Sequence, residues 1–235
     1  MAKLSLGNNR RKKGPNKFVI IFLIIILIAI GFLGVKFYSI NGAIENKLIS
    51  LTYTISYEDE IYFIRVLKEK RKVYIVKAEN NSTFTNNFQT FDNQNLKEAT
   101  DIFLRQFSIA SERNYYINLS TMMKEEIIHK LKGNRMDIEG FFDALKYRNS
   151  SFLDFFQLNN ILKTIEKYDR ETNLTLGALN VFLKGFSNYA ITDYRTLDLK
   201  GYFDEPVIVK THDGLTIERN YIDNEIFEYI KRIVE

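Results

Sequence analysis

The sequence predicts an α/β fold in which a single mixed sheet lies between helices on both of its faces, preceded by one N-terminal transmembrane helix. Two observations predict this fold. A run of apolar residues from Phe18 to Val35 carries no charge. About 198 residues follow Phe37, and in them strand patterns come first, helical patterns fill the middle, and further strands precede a final helix. Strands and helices mixed in this order pack as layers around one sheet.

The apolar run is long enough to cross most of a membrane. Eighteen residues in a helix span about 27 Å, close to the thickness of the hydrocarbon core. Six basic residues and no acidic residue precede the run, which predicts that the N-terminus stays in the cytoplasm and that the chain from Tyr38 onward lies outside. We therefore expect a single-pass protein of the cell membrane. Its predicted segments are a basic cytoplasmic tail at 1–17, a transmembrane helix at 18–37, a stalk at 38–49 and an extracytoplasmic domain at 50–235.

A cleaved signal peptide is the alternative to an anchor. It requires a shorter apolar core followed by two small residues at a cleavage site. Here the run is long, and Lys36, Phe37 and Tyr38 follow it. We therefore expect an uncleaved anchor, although cleavage would release the same domain.

The charge of the chain is unevenly distributed. Residues 1–37 contain seven of the 33 basic residues and no acidic residue, so 26 basic and 29 acidic residues remain in the rest of the chain. The predicted outer domain is therefore slightly acidic, and it lacks the basic surface that nucleic-acid binding requires. We expect no nucleic-acid partner.

Three strands are predicted at the start of the outer domain, after a stalk in which Tyr38 to Lys47 continues the helix of the span. The strands are Leu51 to Tyr57, Glu60 to Leu67 and Arg71 to Ala78, of which the last two form a hairpin. The polar segment Asn80 to Asn95 is predicted to be a loop without an element of its own.

Helices dominate the middle of the domain. Asn95 and Glu98 are spaced as an N-terminal capping pair in front of the first helix. After a short strand at Tyr115 to Leu119, helical spacing recurs over Met122 to Leu131, Asp137 to Tyr147, Phe152 to Tyr168 and Leu174 to Phe186. Strands are then predicted at Tyr194 to Lys200, Val207 to Lys210 and Leu215 to Ile217, the last two joined at Asp213-Gly214, and Asp223 caps a final helix ending at Val234.

No catalytic or metal-binding motif stands out in the sequence. There is no cysteine, so a disulfide, a thiolate nucleophile and a cysteine-ligated metal are excluded. The two histidines, His129 and His212, have no second ligand at metal-binding spacing, and we interpret both as surface or helix-end residues. Ser120 is better explained as a helix cap than as a nucleophile, because no base lies near it in the sequence. We expect no metal site and leave the catalytic residues unknown.

Phenylalanine is concentrated on three consecutive predicted helices. Core packing explains this concentration most simply, and an apolar cavity for a lipid chain is the alternative. The residues concerned are Phe141, Phe142, Phe152, Phe155, Phe156, Phe182 and Phe186.

The stretch Ile138-Glu-Gly-Phe-Phe-Asp-Ala-Leu-Lys-Tyr-Arg148, followed by Asp154 and then Leu158 to Tyr168, resembles a characteristic region of the LytR-CpsA-Psr family. Members of that family are membrane-anchored and attach glycopolymers to the bacterial cell wall. The family pattern runs Leu-x-Gly, Ala-Leu, Tyr-x-Arg, and then an Asp that leads into an arginine-rich helix. The order of elements over roughly residues 50 to 210 is also similar. The resemblance implies that Arg148 and Asp154 contact a lipid phosphate.

This chain departs from the family where the chemistry is done. Val76-Lys-Ala-Glu-Asn80 stands where the family has an Ile-Pro-Arg-Asp loop, and Gln157 and Asn160 stand at the expected arginines. Gln and Asn cannot supply the fixed cations that neutralise a pyrophosphate. We therefore expect a membrane-anchored envelope protein without transferase activity that retains the family scaffold.

The resemblance implies a polyprenyl-phosphate lipid or a cell-wall glycopolymer as partner, in addition to the membrane. No cofactor is expected, and a divalent cation would be needed only if the transferase activity were retained. The alternative hypothesis is an unrelated membrane-anchored module that binds another envelope protein.

Overall fold

The structure is a computed structural model, and it describes residues 17–146, 154–188 and 196–234. The chain divides into two compact units, the first ending at Asn41 and the second beginning at Gly42.

The first unit is a single helix, α1, at Lys17–Asn41. Its most apolar window of 18 residues has a mean hydropathy of 3.4 and none of it is buried, so by length and composition the helix can cross a membrane. The helix ends where the side chain of Asn41 donates a hydrogen bond back to the Phe37 carbonyl oxygen, at 3.0 Å. The helical stalk predicted for Tyr38 to Lys47 is therefore wrong beyond Asn41.

The second unit begins with a short 3₁₀ turn at Ile44–Asn46 and contains eight strands and six further helices among the described residues. The strands are β1 Ser50–Tyr57, β2 Glu60–Leu67, β3 Lys72–Glu79, β4 Ser82–Thr83, β5 Arg113–Asn118, β6 Thr196–Leu199, β7 Val207–Lys210 and β8 Thr216–Tyr221. The helices are α2 Leu96–Gln106, α3 Thr121–Lys130, α4 Ile138–Lys146, α5 Asp154–Tyr168, α6 Leu176–Asn188 and α7 Asn224–Val234.

Five strands form one mixed sheet in the order β5-β1-β2-β3-β6. The three central strands are antiparallel, whereas β5 runs parallel to β1 and β6 runs parallel to β3. β2 is almost entirely buried along its length. Burial on both faces explains why its apolar run is nearly continuous.

Each face of the sheet carries its own hydrophobic core. Tyr62 and Ile64 of β2 pack into the core on the face covered by α3, α4, α5 and α6. Ile61 and Phe63 point to the other face, where α2 and α7 pack. Successive residues of a strand alternate between faces, so one strand serves both cores. The predicted fold class, a mixed sheet with helices on both faces, is confirmed.

A second, three-stranded sheet has the order β4-β8-β7. It includes β4 from the segment 80–95, which was predicted to be a loop without an element. Phe84 and Phe91 of that segment are buried, and their rings lie 5.3 Å apart. The prediction failed because the segment is polar on average, whereas two aromatic rings and a non-local pairing with β8 suffice to order it.

The predicted helix caps and hairpins are confirmed. The Asn95 side chain accepts a hydrogen bond from the Glu98 backbone N–H at 3.2 Å, and Ser120 caps α3 in the same way through Met123. Asp223 accepts from the Glu225 backbone N–H at 2.7 Å. Gly214 adopts a φ of +80° in the turn between β7 and β8, a conformation that favours glycine.

Candidate functional site

A cleft of about 360 Å³ lies where β2 begins and β3 ends. We call it the β3 cleft. β3 ends within the Val76 to Asn80 segment, at which the sequence departs from the family loop. The lining residues of the cleft are Glu60, Tyr62, Lys77, Ile138, Glu139, Phe142, Thr196 and Asp198.

Strand register places one ammonium group among carboxylates in this cleft. Tyr62 of β2 is directly opposite Lys77 of β3, and Lys77 is directly opposite Asp198 of β6. Residues opposite each other on neighbouring strands present their side chains on the same face. The Lys77 Nζ atom lies 2.8 Å from Glu60 Oε1 and 3.7 Å from Asp198 Oδ2, and the Tyr62 hydroxyl donates to the other oxygen of Glu60.

The Lys77 ammonium is neutralised by these neighbours. Burial opposes its charge, but the hydrogen bond to Glu60 and the negative charges of Asp198, Glu60 and Glu79 outweigh burial and raise the pKa of Lys77. Burial and the hydrogen bond to Glu60 raise the pKa of the Tyr62 hydroxyl, which therefore stays a neutral donor. Lys77 is thus charged near pH 7 but already paired with two carboxylates.

A second cleft of about 440 Å³ beside it is acidic. Five carboxylates line it, together with Asn80, Asn81, Pro206 and Asn220, and no Lys or Arg is among the described residues at its wall. The carboxylates belong to Glu58, Asp59, Glu60, Glu79 and Glu218. This end of the sheet therefore repels anions such as phosphate.

Solved structures share the fold of this chain. Lmo1026 from Listeria monocytogenes matches with a TM-score of 0.52 at 11% sequence identity, over 81% of this chain and 96% of that chain. Lin1025 from Listeria innocua matches with a TM-score of 0.50 at 12% identity, over 79% and 95%. A LytR-CPS2A-psr family protein, TagT, with bound octaprenyl pyrophosphate lipid, has a TM-score of 0.46 at 9% identity, over 81% and 90%. The predicted fold is therefore found in solved structures, and a LytR-CPS2A-psr family protein is among the matches.

No family model matches the sequence, and neither does any curated protein. The similarity therefore extends to the LytR-CpsA-Psr-like fold alone, and the residues of this chain must be judged by their own contacts.

The two positions where the family has arginines serve the packing of helices here. Gln157 of α5 donates a hydrogen bond to the Lys130 backbone carbonyl at the end of α3, at 2.8 Å. The Asn160 carbonyl accepts one from the Lys130 ammonium at 3.3 Å. A side chain that satisfies the last carbonyls of a neighbouring helix stabilises that helix end. Gln157 thus ties α5 to α3 through its side chain, whereas Asn160 contributes its backbone carbonyl.

The predicted phosphate-binding residues are only partly within the described structure. Arg148 lies outside the described residues. Asp154 is the first residue of α5, and its side chain lies outside the described part of the chain. Their predicted role therefore stays a prediction.

Four of the seven phenylalanines of the predicted cluster pack into the core. The Phe142 and Phe186 rings lie 5.9 Å apart, and those of Phe182 and Phe186 lie 5.1 Å apart. Phe141 is also buried. The side chain of Phe156 is 51% exposed, so the expectation that it is a core residue is wrong. The side chains of Phe152 and Phe155 lie outside the described residues.

Both histidines and one ion-pair cluster on α3 lie at the surface. His129 and His212 are both exposed, as predicted. Glu126 of α3 forms an ion pair with Lys130 of the same helix at 2.8 Å and joins α5 through an ion pair with Lys167 at 3.2 Å. Hydrogen bonds from Lys130, Thr164 and Lys167 lower the pKa of Glu126 to about 2. Within the described ranges, no group of three or more His, Cys, Asp or Glu side chains is arranged to bind a metal ion.

Proposed function

We propose that this chain is a single-pass membrane protein whose extracytoplasmic domain retains a LytR-CpsA-Psr-like fold without transferring glycopolymers. The observation that carries the proposal is the pairing of Lys77 with Glu60 and Asp198 in the β3 cleft. A transferase of pyrophosphate-linked substrates needs free, preorganised cations where charge develops on the phosphates. Here the cation of the cleft is already neutralised, and three carboxylates line the cleft.

The absence of charged hydrogen-bond donors to the pyrophosphate should lower the rate of transfer by a predictable factor. Removing even one preorganised donor of this kind typically slows a reaction by about 10² to 10³. Gln157 and Asn160 offer no charge, and the Lys77 charge is offset. The several losses together leave too little stabilisation for turnover at a measurable rate.

The test is a transfer assay on the full-length chain in detergent. The chain is incubated with a polyprenyl-pyrophosphate-linked sugar, a divalent cation and an acceptor glycan, and the phosphate-linked product is followed. We expect product at the background level in both the natural chain and the Arg148→Ala variant. Transfer above background that disappears in Arg148→Ala would show that a working site exists and would refute the proposal.

The lipid partner implied by the family resemblance can be tested separately. The full-length chain is extracted from membranes, and co-purifying lipids are identified by mass spectrometry. A stoichiometric polyprenyl phosphate would support a lipid-binding scaffold. Its absence would favour the second candidate function, a module that binds another envelope protein.

One observation favours that second candidate. Four large apolar side chains between residues 202 and 215 are more than half exposed, on and beside the second sheet. The rings of Tyr202 and Phe203 lie 5.0 Å apart, Ile208 lies in β7, and Leu215 lies in the turn that leads into β8. Exposed apolar surface of this kind is typical of protein interaction sites. Crosslinking in cells, lost on Tyr202→Ser and Ile208→Ser together, would support this function.

A further inference from the structure

The end of the sheet opposite the acidic clefts is basic. β1 and β5 begin at this end, and the β2–β3 hairpin turns there. Five exposed basic side chains form what we call the basic end, whereas Glu69 and Glu112 are the exposed carboxylates of the same segments. The basic side chains are Lys47, Lys70, Arg71, Lys72 and Arg113.

The basic end is held together by contacts between segments distant in sequence. The Lys68 backbone N–H donates to the Ile49 carbonyl at 3.0 Å, and the Lys68 ammonium donates to the Glu45 carbonyl at 3.1 Å. These bonds fix the hairpin beside the segment that enters the domain.

The carboxylates at this end are largely engaged. Glu112 accepts hydrogen bonds from the Ile49 and Ser50 backbone N–H groups. Glu45 is buried, its carboxylate accepts from Thr175 at 2.7 Å and from Tyr115 at 3.2 Å, and it forms an ion pair with Arg113 at 3.6 Å. Five exposed basic side chains against two exposed carboxylates leave the exposed charge of the basic end positive.

Few residues separate α1 from the basic end along the chain. The apolar helix ends at Asn41, and Lys47 follows six residues later. Six residues reach at most about 20 Å when fully extended. The acidic end is separated from the basic end by the length of the strands, about 26 Å for the eight residues of β1.

We infer that the basic end docks on the anionic headgroups of the membrane in which α1 is anchored. This inference rests on the proposed membrane anchor. Basic side chains next to a membrane span are attracted to anionic lipid, each strengthening binding by about fivefold. Docking would turn the acidic clefts away from the bilayer.

The test uses the absence of native cysteine in this chain. Glu69→Cys at the hairpin takes a fluorophore in the otherwise natural full-length chain. The labelled chain is reconstituted into phosphatidylcholine vesicles with a fixed fraction of headgroup-quencher lipid, with or without phosphatidylglycerol.

The charge variant adds Lys70→Gln, Arg71→Asn and Lys72→Gln, where Asn suits the positive φ of 49° at Arg71. The matched control adds Lys97→Gln, Lys200→Gln and Lys210→Gln, which neutralise exposed lysines elsewhere in the domain.

We expect quenching at least about twofold greater in anionic than in neutral vesicles, lost in the charge variant and at high salt but kept in the control. Equal quenching in neutral and anionic vesicles, or no change in the charge variant, would overturn docking while the anchor stands. Failure of the chain to incorporate into vesicles would overturn the anchor and this inference together.

Discussion

Lys77 shows how the surroundings of one residue decide what it can do. A lysine at the end of a strand could bind a phosphate as a point charge. Here Glu60 and Asp198 already pair with it, so a phosphate would have to displace a carboxylate or bind beside two of them. The identity of the residue suggests anion binding, and its neighbours oppose it.

The buried and exposed phenylalanines should differ sharply in their contribution to stability. Phe142 is 1% exposed and Phe156 is 51% exposed. We expect Phe142→Ala to lower the free energy of unfolding by about 3 to 5 kcal/mol, and Phe156→Ala to lower it by less than about 1 kcal/mol. Urea denaturation of the full-length chain in mild detergent measures both. Equal losses in the two variants would contradict the packing described for this core.

Glu126 should make part of the stability depend on pH. Its pKa is lowered from 4.5 to about 2 by hydrogen bonds from Lys130, Thr164 and Lys167. A lowered pKa means that the folded state favours the ionised form of Glu126. The stabilisation of the folded state by ionised Glu126 is therefore complete above pH 4.5 and is lost as the pH falls toward 2.

The measurement is the melting temperature between pH 6 and pH 2. We expect Glu126→Gln to lower the melting temperature at pH 6 and to have less effect at the acid end of this range. Glu125→Gln, at an exposed neighbouring position, is the matched control. Its melting temperature should fall with decreasing pH as that of the natural chain does. If Glu126→Gln lowered the melting temperature by the same amount at every pH, the ion pairs of Glu126 would not contribute to the pH dependence of stability.

At the scale of elements, the capping pair in front of α2 is the most local determinant of the fold. Asn95 accepts from the Glu98 backbone N–H at 3.2 Å, and its side chain donates to the Glu98 carboxylate at 2.9 Å. We expect Asn95→Ala to cost about 1 kcal/mol of unfolding free energy and Asn95→Asp to cost less, because Asp also caps helices. Chemical denaturation of both variants measures the difference. A larger loss in Asn95→Asp than in Asn95→Ala would show that the cap is not what stabilises the start of α2.

Elements determined by local patterns could be predicted from the sequence. The period of two in β1 and the i, i+3, i+7 stripe of Leu158, Ile161 and Ile165 are local, and both elements are confirmed. The same stripe places position 156 off the apolar face of α5, because two residues in a helix turn the side chain by about 200°. The burial expected of Phe156 conflicted with that pattern.

Features set by distant pairing could not be predicted. The pairing of β4 with β8 and of β3 with β6 joins segments far apart in the chain. The neighbours of Lys77 depend on that register, since Asp198 reaches it only across two parallel strands. The sequence identified the departures from the family at Gln157 and Asn160, but it did not reveal the carboxylates that neutralise the β3 cleft.

At the scale of the whole molecule, the distribution of charge follows the strands of the main sheet. Basic side chains cluster where the chain enters the domain, and carboxylates cluster at the other end, around Glu58, Asp59 and Glu79. The small net negative charge of the domain, from 26 basic and 29 acidic residues after residue 37, conceals this separation. The separation gives the domain a preferred orientation in the field of an anionic surface.

The orientation of the chain in the membrane is the claim on which the proposed function depends most directly. Residues 1–17 carry six basic residues and no acidic residue, whereas Lys36 is the basic residue at the other end of the apolar run. This asymmetry predicts that the N-terminus is cytoplasmic.

The decisive measurement is a reporter that is active only outside the cytoplasm, fused after Glu235, alongside the same fusion to a reporter that is active only inside. We expect activity from the first fusion and none from the second. A variant with the basic residues of the tail replaced by Gln should shift the balance toward the second reporter. Activity of the cytoplasmic reporter alone in the natural chain would place the domain inside the cell and contradict the account.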